Sequence, residues 1–207
     1  MEGGVNAMAQ PERDDLREDP TFAGGFLTPV DRWTGELAMK LLPQSNGPKV
    51  EIFRGSVIVS PHAGVDHQII ARQLGYLLHR AARKAGFRAY PEVNVFFGED
   101  LYIPDVSVFG KSGAGRASMD IADAVMLVEI VSDEHRRKDV IDRPKVYAEA
   151  GVPWFMRIEF RRRVPTVVLQ ELVDGEYRTV LACAAGTTFA MTEPFPFDVD
   201  PGELLDD

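Results

Sequence analysis

Cysteine is almost missing from this chain. Cys183 is the only one in 207 residues, so no intrachain disulfide can form and the fold must rest on its core. It lies in Leu181-Ala182-Cys183-Ala184, a small-residue stretch in which a thiol packs rather than reacts. So few thiols fit a reducing, cytoplasmic setting. Long apolar runs are missing too, and with them the length needed to span a membrane. Met1 to Pro20 is acidic and polar, with no signal-peptide core. Positive charge is scarce: 23 Lys and Arg stand against 32 Asp and Glu, a formal net charge of −9. That disfavours loose, sequence-independent adhesion to nucleic acid, though it leaves room for a local basic patch.

What is present reads as one domain with a short extension. Residues 1–25 carry Gly-Gly, Pro and many charges, and are expected to be flexible. A domain over 26–200 and an acidic tail over 201–207 follow. Thr28-Pro29-Val30-Asp31 reads as a helix start that should run toward Pro43. Val50–Phe53 and Ser56–Ser60 should pair around Arg54-Gly55. A long helix follows from Asp66 to about Ala85, with Ile70, Leu74, Leu78 and Ala82 in its apolar stripe. His67 shares the face of Ile70 and Leu74, so it should point toward the sheet. Ala89–Phe97 and Leu101–Phe109 read as two strands, and Val164–Val173 with Tyr177–Ala182 as a hairpin around Asp174-Gly175. The fold class is therefore α/β (α+β): a mixed sheet with helices on both faces and a C-terminal β-hairpin.

The most informative stretch is Ala124-Val125-Met126-Leu127-Val128-Glu129-Ile130-Val131. It reads as a strand covered on both faces, yet it carries a carboxylate, and an unpaired buried carboxylate costs several kcal/mol. Asp105 sits in a similar setting, Ile103-Pro104-Asp105-Val106-Ser107. Pro104 removes a ladder donor and favours an edge, a strand start or a bulge. On neighbouring strands Asp105 and Glu129 could converge on one hard cation. Mg²⁺, or Mn²⁺ in its place, needs only such carboxylates, a backbone carbonyl and water. The plainer reading makes Glu129 a structural acid paired with Arg143 or His67. The runs Arg136-Arg137-Lys138 and Arg161-Arg162-Arg163 read first as solvated surface.

The ordered set Ser60-Pro61, His67, Pro104-Asp105-Val106-Ser107-Val108, Leu127-Val128-Glu129-Ile130-Val131-Ser132, Asp139, Tyr147-Ala148-Glu149-Ala150-Gly151-Val152-Pro153 and Arg157-Ile158-Glu159 resembles the Uma-two family of putative endonucleases. That family lies within the PD-(D/E)xK restriction-endonuclease-like superfamily. The resemblance implies a restriction-endonuclease-like sheet flanked by helices. It implies Asp105 and Glu129 as ligands of a divalent metal, with the Ile130 carbonyl as a further ligand and His67 on the helix beside them. It also implies hydrolysis of DNA phosphodiester bonds. The superfamily's lysine two residues after the Glu is Val131 here. Its expected replacements are Arg143, which would stabilise negative charge, and Lys145. A nuclease-fold module that binds nucleic acid or protein without turnover is the main rival. A metal-free acid/base pair of the glycosidase kind is a more distant one, since these acids sit among aliphatics. An acidic chain leaves open a homodimer or a separate DNA-reading subunit.

Overall fold

The computed structural model describes residues 32–42, 48–131 and 142–206. The expected extension over 1–25, the helix start at Thr28 and the basic run Arg136-Arg137-Lys138 lie outside these residues. Helix α1 (Gly35–Leu41) begins later than the Thr28 reading would place it. Thr34 is extended and caps the helix, its Oγ1 accepting the Leu37 N–H at 3.2 Å. Strands β1 (Lys49–Phe53) and β2 (Ser56–Ser60) form the expected hairpin. Arg54 and Gly55 take φ of 49° and 81°, the positive values that a two-residue loop between twisted strands requires. Helix α2 (Val65–Lys84) buries His67, Ile70, Leu74, Leu78 and Ala82. Gly64, not Asp66, holds its N-cap position; Asp66 lies in the first turn, where a negative group suits the helix dipole.

The largest departure lies in the next forty residues. Ala89–Phe97 divides into β3 (Arg88–Pro91) and β4 (Val95–Phe97), and Leu101–Phe109 divides into β5 (Asp100–Tyr102) and β6 (Val106–Phe109). β4 pairs with β5 in one sheet, while β3 pairs with β6 in another. Both arms of the hairpin bend, at Pro91-Glu92 and at Pro104-Asp105. A proline donates nothing to a ladder, and Glu92 takes φ of 46°. Periodicity reads straight across both bends because the side chains alternate on either side of each.

The remaining elements are β7 (Met119–Asp120), β8 (Ala124–Val131), α3 (Arg143–Glu149), β9 (Trp154–Arg161), β10 (Val164–Val173), β11 (Glu176–Ala184), β12 (Phe189–Met191) and β13 (Phe197–Val199), then a 3-10 turn, Pro201–Leu205. The first sheet runs β2-β1-β5-β4-β7 and the second β11-β10-β9-β8-β6-β3; β12 and β13 pair separately. Most pairs are antiparallel, but β8 and β9 are parallel, so the segment carrying α3 is their crossover. Pro144 lies in the first turn of α3, where it starts a helix rather than kinking one.

Each face of the second sheet has its own core. Val106, Val108, Met126, Val128, Ile130, Met156 and Ile158 pack with the buried stripe of α2 and with Phe195, Phe197 and Leu204. Phe109, Leu127 and Phe155 pack with Val146 and Tyr147 of α3. Residues 201–207 are therefore not merely an acidic tail, since Leu204 is fully buried. Among the described residues, no helix is long and apolar enough to cross a membrane.

Leu74 faces the sheet and Tyr76, two residues on, is 57% exposed. Leu74→Ala is expected to lower unfolding free energy by about 2–5 kcal/mol. Tyr76→Ala should change it by no more than about 0.5 kcal/mol. Urea denaturation of both variants checks the orientation of α2.

Candidate functional site

The corner at Ile103-Pro104-Asp105 builds the site. Where β5 ends and β6 begins, and where β3 ends beside them, main-chain groups leave the ladder. The Ile103 N–H donates to Glu51 Oε1 at 2.8 Å, and Pro104 has no N–H to satisfy. The Glu92 N–H donates to the Asp105 carbonyl at 3.2 Å. Acids on the strands thus take over from the interrupted ladder.

Val106 pairs with Val128. Beyond that pair the chain leaves the ladder, and the Asp105 side chain turns toward β8. Glu129 lies against Tyr147 of α3, and Asp105 lies against His67 of α2. Asp105 Oδ2 accepts the Ile130 N–H at 2.7 Å, which extends the ladder through a side chain. The N–H and C=O of a strand residue point to the same side, so the Ile130 carbonyl also faces this end of β6. On the far side of Glu129, the parallel register sets Arg157 of β9 opposite it.

Cations surround the two acids. Lys49 Nζ lies 2.6 Å from Asp105 Oδ1 and 3.0 Å from Glu92 Oε1. His67 Nε2 lies 3.4 Å from Asp105 Oδ2, and its Nδ1 is buried without a partner. Arg143 binds Glu51 Oε1, lies 3.9 Å from Glu129 Oε1 and covers the Tyr102 ring at 4.8 Å. The Tyr147 hydroxyl donates to Glu129 Oε1. Glu51, Asp105, Glu129 and Arg143 are each no more than 5% exposed.

Their protonation follows from this arrangement. Burial alone would push the Asp105 carboxyl up, but the His67 hydrogen bond and the Lys49 charge outweigh it and hold the group well below the usual carboxylate range. Burial would lower the Lys49 ammonium, but Asp105 beside it, with Glu92 and Glu129, raises it instead. Arg143 behaves alike: burial opposes its charge, and the carboxylates of Glu51 and Glu129 more than restore it. Burial raises the Tyr147 phenol, and the Glu129 charge raises it further. Tyr147 therefore donates to Glu129 as a neutral phenol.

Of the residues singled out from sequence, Asp105, Glu129, His67, Arg143 and the Ile130 main chain come together. Lys145 does not; it lies on the exposed side of α3. Lys49 and Glu51 carry no role in the sequence reading, yet both reach the site from β1. Glu51 had a usable signal: it is a carboxylate inside an apolar strand, the feature that singles out Glu129. Lys49 alternates with it on the same face, but a lysine at a strand start carries no comparable signal.

Among the described residues, no three His, Cys, Asp or Glu side chains gather as a metal-holding group. The donors present are two carboxylates and a main-chain carbonyl. That set suits a hard cation that keeps much of its water, Mg²⁺ or Mn²⁺, better than zinc, which takes several His or Cys ligands. The unpartnered His67 Nδ1 is a polar atom beside Asp105 that a bound water could satisfy.

A mixed sheet with paired acids at a strand end is a nuclease-like architecture. The same fold occurs in a crystal structure described as a putative nuclease belonging to DUF820 from Anabaena variabilis ATCC 29413. It shares 19% identity with this chain, covers 78% of it and 89% of its own length, and superposes with a TM-score of 0.59. At that identity the likeness concerns the fold. The family follows from the sequence: residues 37–202 match the Uma2 family, described as "Putative restriction endonuclease", and the chain belongs to it. A search of curated proteins found no match.

Two outcomes follow from these charges. Arg143→Met leaves Glu51 and Glu129 buried without their shared cation and should cost about 3–5 kcal/mol by urea denaturation. Adding Glu51→Gln should recover part of the loss. Asp105 is more acidic folded than unfolded, so its stabilisation is fully present above about pH 4 and is lost as pH falls toward the folded value. Unfolding curves from pH 5 to pH 2 should show a steeper acid loss in the wild type than in Asp105→Asn.

Proposed function

We propose that this protein is a Mg²⁺- or Mn²⁺-dependent endonuclease that hydrolyses DNA phosphodiester bonds. One observation carries the reading: Asp105 and Glu129 are both buried where β6 meets β8, and Lys49, His67 and Arg143 lie against them. Membership of a family described as restriction endonucleases supports the substrate class. Asp105, Glu129 and the Ile130 carbonyl would hold the ion. When bound, it would neutralise phosphate charge and make a water easier to deprotonate.

The chain's own groups do the rest. Tyr147 and Arg143 fix Glu129, and Arg143 ties it to Glu51. Arg143 is thus a positioning residue before it is a charge stabiliser. His67 and the Ile130 N–H fix Asp105 Oδ2. In hydrolysis the water oxygen bonds to phosphorus and one ester P–O bond breaks. A proton leaves the water, and one is taken up by the departing oxygen. A net charge of −9 disfavours loose adhesion to DNA and leaves room for a second copy of the chain or a separate DNA-reading subunit. The single cysteine suits work in a reducing cytoplasm.

A second reading has one observation in its favour. Both Asp105 oxygens already meet cationic or N–H partners, so the acids are compensated without an ion, as in a nuclease-fold module that binds but does not cut. Plasmid incubation with Mg²⁺ or Mn²⁺ separates the two. The nuclease reading expects cleavage that EDTA stops and that Asp105→Ala and Glu129→Ala abolish. Cleavage equal in all three proteins marks a contaminant, and duplex binding with no cleavage supports the second reading.

A further inference from the structure

The superfamily's lysine, two residues beyond the second acid, is replaced here by Val131, which is buried. Neither α3 candidate fills its place well. Arg143 is held by Glu51 and packed against Tyr102, with only 5% of its side chain accessible. Lys145 is on the exposed side of its helix. Lys49 meets the requirement from another element. It touches Asp105 directly, at 2.6 Å, and 25% of its side chain stays accessible, so its amine can meet an incoming ligand.

An ammonium carries three N–H donors, and Asp105 and Glu92 engage two of them. Glu92 holds a positive φ of 46°, a conformation strained for a non-glycine residue and one that tends to persist at functional sites. The Glu92 N–H is tied to the Asp105 carbonyl, and its carboxylate to Lys49. The corner thus fixes the lysine and the acid together.

We propose that Lys49 is the catalytic lysine of this site, supplied by β1 instead of β8. It donates its third N–H to a non-bridging oxygen of the scissile phosphate. As water oxygen bonds to phosphorus and the ester P–O bond breaks, negative charge grows on that oxygen, and Lys49 stabilises it without giving up a proton. The inference rests on the nuclease reading above.

Full-length Lys49→Met, Lys49→Gln and Lys49→Arg are compared with wild type and Glu129→Gln. Gln keeps an N–H donor on Asp105 and serves if Met does not fold. Three readouts are taken: plasmid cleavage with Mn²⁺, calorimetric titration with Mn²⁺, and binding of a short duplex in Ca²⁺. Met and Gln should each cut about a hundredfold or more slowly, with Mn²⁺ affinity unchanged or tighter and duplex affinity lowered. Arg should recover part of the rate. The inference is overturned if Met or Gln cuts to within about threefold of wild type. It is equally overturned if their Mn²⁺ affinity falls as far as in Glu129→Gln, because Lys49 then only props Asp105. If the wild type itself does not cut, the nuclease reading fails and the assignment goes with it. Cutting by the wild type and not by Glu129→Gln, with Lys49→Met unimpaired, rejects Lys49 alone.

Discussion

The constraint on which the rest depends is the enclosure of two carboxylates, Asp105 and Glu129, at the end of a sheet that is otherwise aliphatic. Charged groups removed from water need compensation of several kcal/mol each. The chain supplies it from four directions: Lys49 from β1, His67 from α2, Arg143 from α3 and the Ile130 N–H from β8 itself. Each of these elements belongs to a different part of the fold. The acids therefore act as a meeting point for both large sheets and both longer crossovers. Asp105 is held by Lys49, His67 and the Ile130 N–H together, and Glu129 by Tyr147 and Arg143.

The corner at Pro104 makes that meeting geometrically available. A continuous strand from Leu101 to Phe109 would spend the Ile103 and Asp105 main-chain groups on one sheet. Breaking it lets β5 pair with β1 and β4 while β6 pairs with β3 and β8. Glu51 then serves twice, accepting the Ile103 N–H and binding Arg143. Glu51 thereby couples the bend in one strand to the first turn of α3, whose Tyr147 holds Glu129. Structure and chemistry share the same side chains here, so change at Arg143 or at Lys49 should touch stability as well as chemistry.

Much of this was legible from residues alone. Val125–Val131 and the α2 stripe announce themselves because burial on one or both faces leaves a strong periodic mark. The Arg54-Gly55 and Asp174-Gly175 turns do so because their positive φ values select residue types. Asp105 and Glu129 stand out because acids are out of place among Val and Ile. Other features leave no local mark. The split of Ala89–Phe97 between two sheets is set by which partner each half finds, and alternation continues through the bend. The helix start expected at Thr28 lies outside the described residues, and the Thr34 cap of α1 has no proline after it to mark it in the sequence. Lys49 is invisible in sequence because a lysine opening a strand ordinarily faces water; only the approach of β1 to the corner gives it an acid to meet. Arg143 was singled out for charge stabilisation, but its neighbours Glu51 and Tyr102 come from distant segments, and they turn it toward holding the site together.

We propose that Asp105 and Glu129 hold a divalent ion, with Lys49 beside it. Anomalous scattering from crystals soaked in Mn²⁺ tests that most directly. The account predicts a peak about 2.1 Å from oxygens of both Asp105 and Glu129, lost in Glu129→Ala crystals. Fully soaked wild-type crystals with no peak between these two carboxylates would contradict it.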